Sequence, residues 1–291
     1  MGQNLAYFNG RFIELDEPVL SIEERGLQFG DGIYEMLRIY DGHPYTLTEH
    51  IERLSASAEA ILLELPVSKK DLVDLVYNGI TRSGIQEGTV YIQITRGSSP
   101  RNHLFPQNVA ANLYLIWKEG VSDLTQMREQ GITTRIFEDE RWSNCYIKSL
   151  CLLPNVLAKE KAHRQGAHEA LFVREGKLKE GSSTNVFIVK DGIFFTPVAD
   201  RSILNGITRQ KMMELLRVHG VRIEERDISV AALKDADEVL VTSSIQEALP
   251  VVQVDETVIG AGVPGPYFKK LLMWYKEEVQ RAATVIEDAN A

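Results

Sequence analysis

The sequence predicts an α+β fold made of two domains. Its 291 residues suffice for a large buried core, and the apolar and charged fractions, 44% and 25%, are ordinary for a globular protein. Strand patterns alternate with two amphipathic helices in the first half, whereas the second half has many short strands and few helices. We therefore expect a small α/β domain at residues 1–118 and a larger, β-rich domain at residues 124–291.

Charge and cysteine content argue against several classes of protein. A formal net charge of −9, a pI of about 5.3 and the absence of a basic run disfavour a nucleic-acid binder. The first residues lack a basic stretch followed by an apolar core, and no apolar segment approaches the roughly twenty residues that cross a bilayer. Cys145 and Cys151 are expected to be reduced structural thiols, and the histidines show no metal-ligand spacing. We therefore expect a cytoplasmic enzyme with no metal, nucleic-acid or membrane partner.

Local signals place the elements of the first half. Asn9-Gly10 between short apolar runs predicts a hairpin. Residues 28–32 are too rich in glycine for a regular element, and side-chain alternation predicts a strand at residues 33–40. Ser68 and Asp71 form a capping pair for a helix that Gly84 ends. The other expected elements are a helix at residues 48–63 and strands at residues 89–95 and 112–117.

Short strands dominate the second half. Asp191-Gly192 predicts a tight turn between two of them. Thr208 is the expected N-cap of a helix that Gly220 ends. The expected strands cover residues 132–137, 169–173, 185–189, 193–196 and 238–242, and the expected helices cover residues 155–165, 209–219 and 266–283.

Lys148 is the candidate nucleophile. It follows Ile147 and precedes a largely apolar run at residues 149–153, so its amine is expected in a poorly hydrated place. A lysine there is more easily deprotonated and is able to form a Schiff base with a carbonyl group. The ordinary alternative is a lysine that reaches water along its apolar stem.

Glu180 precedes a turn rich in glycine and hydroxyl groups at residues 181–184, which leads into a strand. A carboxylate at this place is able to pair with a protonated pyridinium nitrogen and strengthen a cofactor as an electron sink. A polar hairpin turn is the ordinary alternative.

Taken together, residues 141–150 and 179–187 resemble the fold-type IV pyridoxal phosphate enzymes. Within that group the chain is most similar to the D-amino acid aminotransferases, nearly from end to end. The resemblance implies a barrel-like second domain that carries the cofactor lysine, with pyridoxal 5'-phosphate as cofactor. It also implies ping-pong transamination of D-amino acids, D-alanine with 2-oxoglutarate, by a homodimer with shared active sites.

Tyr34 and Arg53 lie in two further segments that carry this resemblance. Residues 29–35 match a family segment whose tyrosine, here Tyr34, meets the substrate. Residues 50–54 match one whose arginine, here Arg53, binds the cofactor phosphate, a task suited to a guanidinium group. A buried structural tyrosine and a solvated helical arginine are the ordinary alternatives.

Arg101 and His103 flank one residue in a loop enforced by glycine and proline. If that loop is extended, both side chains point the same way and form a cationic clamp for a carboxylate. The pair resembles the carboxylate trap of the D-amino acid aminotransferases, which the neighbouring subunit contributes. The ordinary alternative for such a pattern is a pair of exposed, solvated side chains.

Residues 206–209, Gly-Ile-Thr-Arg, resemble the phosphate cup of the family, and a helix start at this place offers free amide donors to a phosphate. An ordinary capped helix is the alternative. Two hydroxyl residues, Ser243 and Ser244, are expected to complete the cup. Ile245 and Gln246 stand where the D-amino acid enzymes have threonine and serine. The resemblance therefore assigns these two residues no role in substrate binding. The resemblance assigns cofactor contacts to Ser183, Leu204, Ile207, Thr208, Ser243 and Ser244.

Three other functions fit parts of the pattern. An aminodeoxychorismate lyase uses the same lysine and glutamate for elimination, and a branched-chain L-amino acid aminotransferase shares the cofactor. Arg101 and His103 argue against both. A non-catalytic binder of a phosphate ligand needs neither Lys148 nor Glu180.

Overall fold

Two compact units divide the chain in the computed structural model, which describes the backbone of residues 2–290 and the side chains of residues 2–283. The first unit holds the chain up to Val121, the segment Ile147–Cys151 and the end of the last helix. The second unit holds Ser122–Tyr146 and Leu152–Gln280. Lys148 thus groups with the first unit, because backbone hydrogen bonds join its segment to a strand of that unit. The expected domain boundary instead places Lys148 in the second domain.

The first unit is built on a six-stranded antiparallel sheet with the order β2-β1-β6-β5-β3-β4. Residues on one side of each central strand are buried together with apolar residues of two helices. The elements are β1 (Leu5–Phe8), β2 (Arg11–Ile13), α1 (Arg25–Phe29), β3 (Gly32–Tyr40), β4 (His43–Pro44), α2 (Leu47–Ala60), α3 (Lys69–Ser83), β5 (Gly88–Thr95) and β6 (Asn112–Glu119).

Alternation along β3 separates the core of this unit from an open face. Ile33 and Leu37 are fully buried and join Leu54 of α2 in one apolar cluster. Tyr34 and Met36 point to the opposite face and are only partly buried. The side-chain alternation that predicted a strand at residues 33–40 is therefore confirmed.

The second unit is β-rich, as predicted. Its strands follow the order β12-β11-β10-β13-β14-β7-β8-β9, and β15 pairs with β14. The elements are α4 (Thr125–Gln130), β7 (Ile132–Glu138), α5 (Leu153–Arg164), β8 (Glu169–Arg174), β9 (Lys177–Gly181), β10 (Asn185–Lys190), β11 (Ile193–Thr196), α6 (Ile207–Val218), β12 (Ile223–Glu225), α7 (Val230–Lys234), β13 (Glu238–Ser243), β14 (Glu247–Val254), β15 (Thr257–Val258) and α8 (Pro266–Asn290).

The sheet of the second unit curls. A turn of three residues joins β9, which ends the strand order, to β10, which lies near its other end. Such a short turn requires the two strands to be close in space, and Gly181 N donates to Thr184 O across it at 2.7 Å. The curl therefore brings Glu180 on β9 beside the start of β10.

Several local predictions are confirmed. Asn9-Gly10 turns a hairpin, Ser68 and Asp71 form a capping box, and Asp191-Gly192 turns between β10 and β11 with φ values of 51° and 76°. Within the described part of the chain, no helix has the length and apolar character needed to cross a membrane.

Two local predictions are wrong. Residues 28 and 29 belong to α1 rather than to an irregular segment, because the Glu24 side chain caps that helix and Gly30 ends it with a left-handed φ of 66°. Gly206 rather than Thr208 is the N-cap of α6, which begins at Ile207. Thr208 consequently lies inside the first turn.

Candidate active site

The segment Ile147–Cys151 runs beside the first residues of β3. Tyr34 N donates to Lys148 O at 3.0 Å, and Leu150 N donates to Gly32 O at 3.0 Å. A side chain at Gly32 is excluded, because its Cβ would lie 2.6 Å from Ile94 O and 2.8 Å from the Leu150 side chain. Lys148 N also donates to Ser57 Oγ on α2 at 3.2 Å. Strand and helix thus fix the backbone of Lys148 from two directions.

The Lys148 side chain is half-buried and lies against Tyr34. Its Nζ is 4.3 Å from the centroid of the Tyr34 ring. That ring stacks on Tyr91 at 5.7 Å, and the Tyr91 hydroxyl donates to Gln93 Oε1 at 2.5 Å. Burial raises the pKa of Tyr91 above its usual value, so its hydroxyl keeps its proton at neutral pH. The structure therefore brings two predicted residues, Lys148 and Tyr34, together, with the Tyr91 ring stacked behind that of Tyr34.

Arg53 is held by a carboxylate rather than solvated. Its Nε and Nη2 donate to the two oxygens of Glu35 at 2.7 and 2.8 Å, and the Arg53 side chain is 13% exposed. His50 Nδ1 lies 2.6 Å from Glu35 Oε2. Burial opposes the charge of Glu35, but Arg53 and His50 outweigh it and hold the pKa of Glu35 well below its usual range. The guanidinium group of Arg53 is consequently fixed in one orientation on α2.

Arg101 and His103 are exposed and lie on the same aromatic ring. The Arg101 Cζ atom is 4.4 Å from the Phe29 ring centroid, and the His103 and Phe29 ring centroids are 5.4 Å apart. Arg101 Nη1 also approaches Gln28 O at 3.5 Å. The structure thus brings the two predicted carboxylate-binding residues together at one surface.

Glu180 lies at the end of β9 in the second unit and is 6% exposed. Its Oε2 accepts hydrogen bonds from Asn185 Nδ2 and from Leu204 N, each at 3.1 Å. Asn185 Nδ2 also donates to Leu204 O at 2.9 Å. The carboxylate, Asn185 and the Leu204 backbone therefore form one closed hydrogen-bonded group that contains two of the predicted cofactor residues.

Arg141 binds the other oxygen of this carboxylate, with Nη1 2.5 Å from Glu180 Oε1. The two carboxylate oxygens of Asp139 accept hydrogen bonds from Nε and Nη2 of the same guanidinium group, at 2.9 and 3.0 Å. Burial opposes the positive charge of Arg141, but the hydrogen bonds and charges of Asp139 and Glu180 raise its pKa above the usual value. Arg141 therefore stays charged and orients Glu180.

Helix α6 starts with amide donors that have no hydrogen-bond partner among the residues the structure describes. Its N-cap Gly206 provides no side-chain hydrogen bond, and the first helical hydrogen bond runs from Gln210 N to Gly206 O. The amides of Ile207 and Thr208 precede that bond and point out of the helix start. A Cβ on Gly206 would lie 2.1 Å from Asn185 Oδ1, so this residue allows the helix start to approach Asn185.

The remaining predicted cofactor residues, Ser183, Ser243 and Ser244, each carry a hydroxyl group. Ser243 Oγ accepts a hydrogen bond from Gln246 N at 3.2 Å, and Ser183 Oγ donates to Glu169 Oε2 at 3.2 Å. Ser244 follows Ser243 in the turn after β13. Thr242 Oγ1 is buried and has no hydrogen-bond partner among the described residues. Free amides and hydroxyl groups in the second unit suit a phosphate, and a buried carboxylate suits a protonated ring nitrogen.

Sequence reasoning missed the residues that orient the predicted ones. Glu35, Ser57 and Arg141 hold Arg53, Lys148 and Glu180 respectively. Arg141 stands at the start of the stretch that contains Lys148, and Glu35 directly follows Tyr34, so proximity in the chain was the available signal.

The fold and these residue groups define an aminotransferase. The chain belongs to the class IV amino-transferase family, whose model matches residues 32–254. It is 40% identical over 285 residues to D-alanine aminotransferase of Listeria monocytogenes, covering 97% of this chain and 98% of the relative. It is 40% identical over 269 residues to D-alanine aminotransferase of Bacillus licheniformis, covering 91% and 93%.

A solved structure shows the same fold. The branched-chain amino acid aminotransferase of Escherichia coli is similar with a TM-score of 0.86 at 25% sequence identity. The similarity covers 93% of this chain and 92% of that chain. The predicted fold-type IV architecture is therefore confirmed.

Proposed function

We propose that the chain is a pyridoxal 5'-phosphate-dependent transaminase of D-amino acids. It transfers the amino group of D-alanine to 2-oxoglutarate and yields pyruvate and D-glutamate by a ping-pong mechanism. The observation that carries this conclusion is the 40% identity to D-alanine aminotransferases over nearly the whole chain. A cytoplasmic location accords with Cys145 and Cys151, which are both free thiols.

Lys148 is the residue that binds the cofactor covalently and moves the proton. The cofactor supplies an aldehyde that takes up the amino group and a protonated ring that accepts the electron pair left on Cα. With the cofactor bound, Lys148 Nζ would hold it covalently until the substrate amine takes its place, and the freed amine would then take the Cα proton as general base and give it back as general acid. Two hydrogen bonds, from Tyr34 N to Lys148 O and from Lys148 N to Ser57 Oγ, hold the Lys148 backbone in place for this transfer.

Glu180 holds the proton on the ring nitrogen of the cofactor. Its carboxylate is buried and oriented by Arg141, Asn185 and the Leu204 amide, so it needs no rearrangement as charge develops. Leu204 and Ser183 line the ring in this proposal. Pyruvate would leave before 2-oxoglutarate binds, which accounts for ping-pong kinetics.

The phosphate is bound at the start of α6. Free amides of Ile207 and Thr208 and the positive end of the helix dipole favour a phosphate dianion there. Ser243 and Ser244 add hydroxyl donors, and the family resemblance assigns Arg53, whose guanidinium group is oriented by Glu35, to the same phosphate.

Arg101 and His103 bind the substrate carboxylate, and Tyr34 lines the substrate side. Both cationic residues are exposed at one surface, on which Phe29 supports them. In the proposed homodimer they reach the site of the neighbouring subunit, so that each site is shared.

The decisive experiment is a substrate panel. Purified enzyme is offered 2-oxoglutarate with D-alanine, L-alanine, D-leucine or L-leucine, and release of the new oxo acid is measured. We expect D-alanine to be the best donor and the L-amino acids to be slower by at least about two orders of magnitude. Faster turnover of L-leucine would favour a branched-chain L-amino acid aminotransferase, and pyruvate release from 4-amino-4-deoxychorismate would favour the lyase.

Shared sites are tested by subunit exchange. Lys148→Ala protein is expected to be nearly inactive and Arg101→Ala protein to have its kcat/KM for D-alanine lowered at least about tenfold, but a hybrid of the two contains one site with both residues intact. Mixing them should restore activity to a measurable fraction of the wild type. Hybrids proven by differential tagging that stay inactive would reject the shared site.

A further inference from the structure

Arg25 is a buried arginine whose guanidinium group binds the loop of Arg101 and His103. It is 3% exposed. Its Nη1 donates to Asn102 O at 2.7 Å and approaches Leu104 O at 3.4 Å, and these two carbonyl groups flank His103. A buried guanidinium group that bridges two carbonyls restricts the backbone between them.

Asp31 and Arg96 fix Arg25 in turn. Arg25 Nε donates to Asp31 Oδ2 at 2.8 Å, and Arg96 Nε donates to the same oxygen at 2.9 Å. Arg96 also binds the carbonyl groups of Ile61 and Leu62 at 2.7 and 2.8 Å. The carboxylate of Asp31 is thus shared by two arginines, and the base of the loop is tied to the end of α2.

Phe29 connects this base to the exposed side chains. The Cζ atom of Arg25 lies 4.8 Å from the Phe29 ring centroid, and that of Arg101 lies 4.4 Å from it. His103 packs on the same ring. Arg25 therefore contacts the loop through its backbone and through the ring that supports both side chains.

We propose that Arg25 is a positioning residue for substrate carboxylate binding, which it controls by holding Arg101 and His103 in their binding arrangement. This inference rests on the proposed function of that pair. Arg25 itself is buried and does not touch the substrate. Its effect is expected in carboxylate affinity, because a displacement of about 1 Å in a binding group is enough to lower catalytic efficiency severely.

The test compares Arg25→Met and Arg25→Lys holoenzymes with the wild type. Lysine keeps the charge beside Asp31, but one ammonium group does not reproduce the guanidinium geometry in which Nε binds Asp31 while Nη1 reaches both carbonyls. In both variants we expect the KM for D-alanine and the inhibition constant of propanoate to rise about tenfold, while kcat falls less than about threefold. Absorbance of bound cofactor confirms that each variant is folded and loaded.

A double-variant cycle separates positioning from general destabilisation. Arg25→Met in an Arg101→Ala background should change the propanoate constant by less than about twofold, because its effect passes through the loop. The control is Arg82→Met, which removes another first-unit arginine that lies on an aromatic ring, Phe12, and should leave both constants unchanged.

The outcomes distinguish two failures. Positioning by Arg25 is rejected, and the proposed function stands, if Arg101→Ala weakens propanoate binding but neither Arg25 variant does. It is also rejected if the effects of Arg25→Met and Arg101→Ala on the propanoate constant are additive in the double variant. If Arg101→Ala itself leaves propanoate binding and the KM for D-alanine unchanged, the carboxylate assignment in the proposed function fails, and the role of Arg25 fails with it.

Discussion

Arg141 and Glu180 form a buried ion pair at the end of β9, with side chains only 5% and 7% exposed. Removing one member of such a pair leaves a buried charge without compensation, which costs about 3–5 kcal/mol. The pair therefore holds the carboxylate in one orientation, and the oxygen opposite Arg141 is shared by Asn185 and the Leu204 amide.

Glu180→Gln is expected to lower kcat by at least about a hundredfold while cofactor content falls little, because an amide does not keep the ring nitrogen protonated. Turnover per bound cofactor is measured with D-alanine and 2-oxoglutarate. Glu214→Gln, at an exposed position of α6, is the matched control. Loss of cofactor with an unchanged rate per bound cofactor would contradict the assigned role.

Lys148→Ala is expected to abolish the visible absorbance of lysine-bound cofactor and to reduce turnover by several orders of magnitude, since no other residue is assigned covalent binding or proton transfer. Absorbance spectra and initial rates are recorded on the same preparation. Lys70→Ala, which removes an exposed lysine of α3, should change neither. A Lys148→Ala protein that keeps both properties would refute the central assignment.

Gly206→Ala is expected to weaken cofactor retention, because the new Cβ would lie 2.1 Å from Asn185 Oδ1 and displace either Asn185 or the start of α6. Overpacking of this kind costs about 1–3 kcal/mol. The dissociation constant of the cofactor is measured by fluorescence titration of the cofactor-free protein. Gly166→Ala adds a Cβ with no neighbour within 4 Å but strains the backbone at a φ of 76°, so it is the control for lowered stability without a clash at the site. Equal cofactor affinity in both variants would argue against the phosphate site.

His50 is expected to make folding sensitive to mild acid. Burial lowers the pKa of His50 below its usual 6.5, although Glu35 opposes this. As pH falls below 6.5, the unfolded chain binds a proton at His50 that the folded chain does not. The free energy of unfolding therefore decreases, by up to about 1.4 kcal/mol per pH unit from this residue.

Urea unfolding between pH 7.5 and pH 5.5 checks this expectation. His50→Gln should flatten the pH dependence, whereas His219→Gln, at an exposed position, should leave it unchanged. Identical slopes in the wild type and His50→Gln would assign the acid sensitivity to other groups.

The two cysteines should differ in reactivity. Cys145 is 8% exposed, and burial raises the pKa of its thiol to about 11 despite the nearby Arg141 charge, whereas Cys151 is exposed. Because the thiolate is the reactive form, iodoacetamide at pH 8 should modify Cys151 first and Cys145 only after unfolding. Peptide mass spectrometry follows both sites, and Cys151→Ser is the control. Early modification of Cys145 would contradict its burial.

Predictions that depended on a few adjacent residues agree with the structure. Asn9-Gly10 and Asp191-Gly192 turn hairpins, and Ser68 caps α3 with Asp71, because each signal acts through local backbone geometry. The exceptions are residues 28 and 29, which belong to α1, and the N-cap of α6. Thr208 has the side chain of a capping residue, but the start of α6 lies against Asn185, where only glycine fits.

The sequence by itself determined the candidate chemistry: an amine at Lys148, a carboxylate at Glu180 and a cationic pair at Arg101 and His103. Their identities depend only on side-chain type and on a family pattern readable along the chain. Tertiary structure alone decided which groups hold them. Ser57 is 91 residues from Lys148, Arg141 is 39 residues from Glu180, and Arg25 is 77 residues from Asn102. Local propensity carries no information over such separations, because these contacts arise only when sheets and helices pack and buried polar groups must find partners.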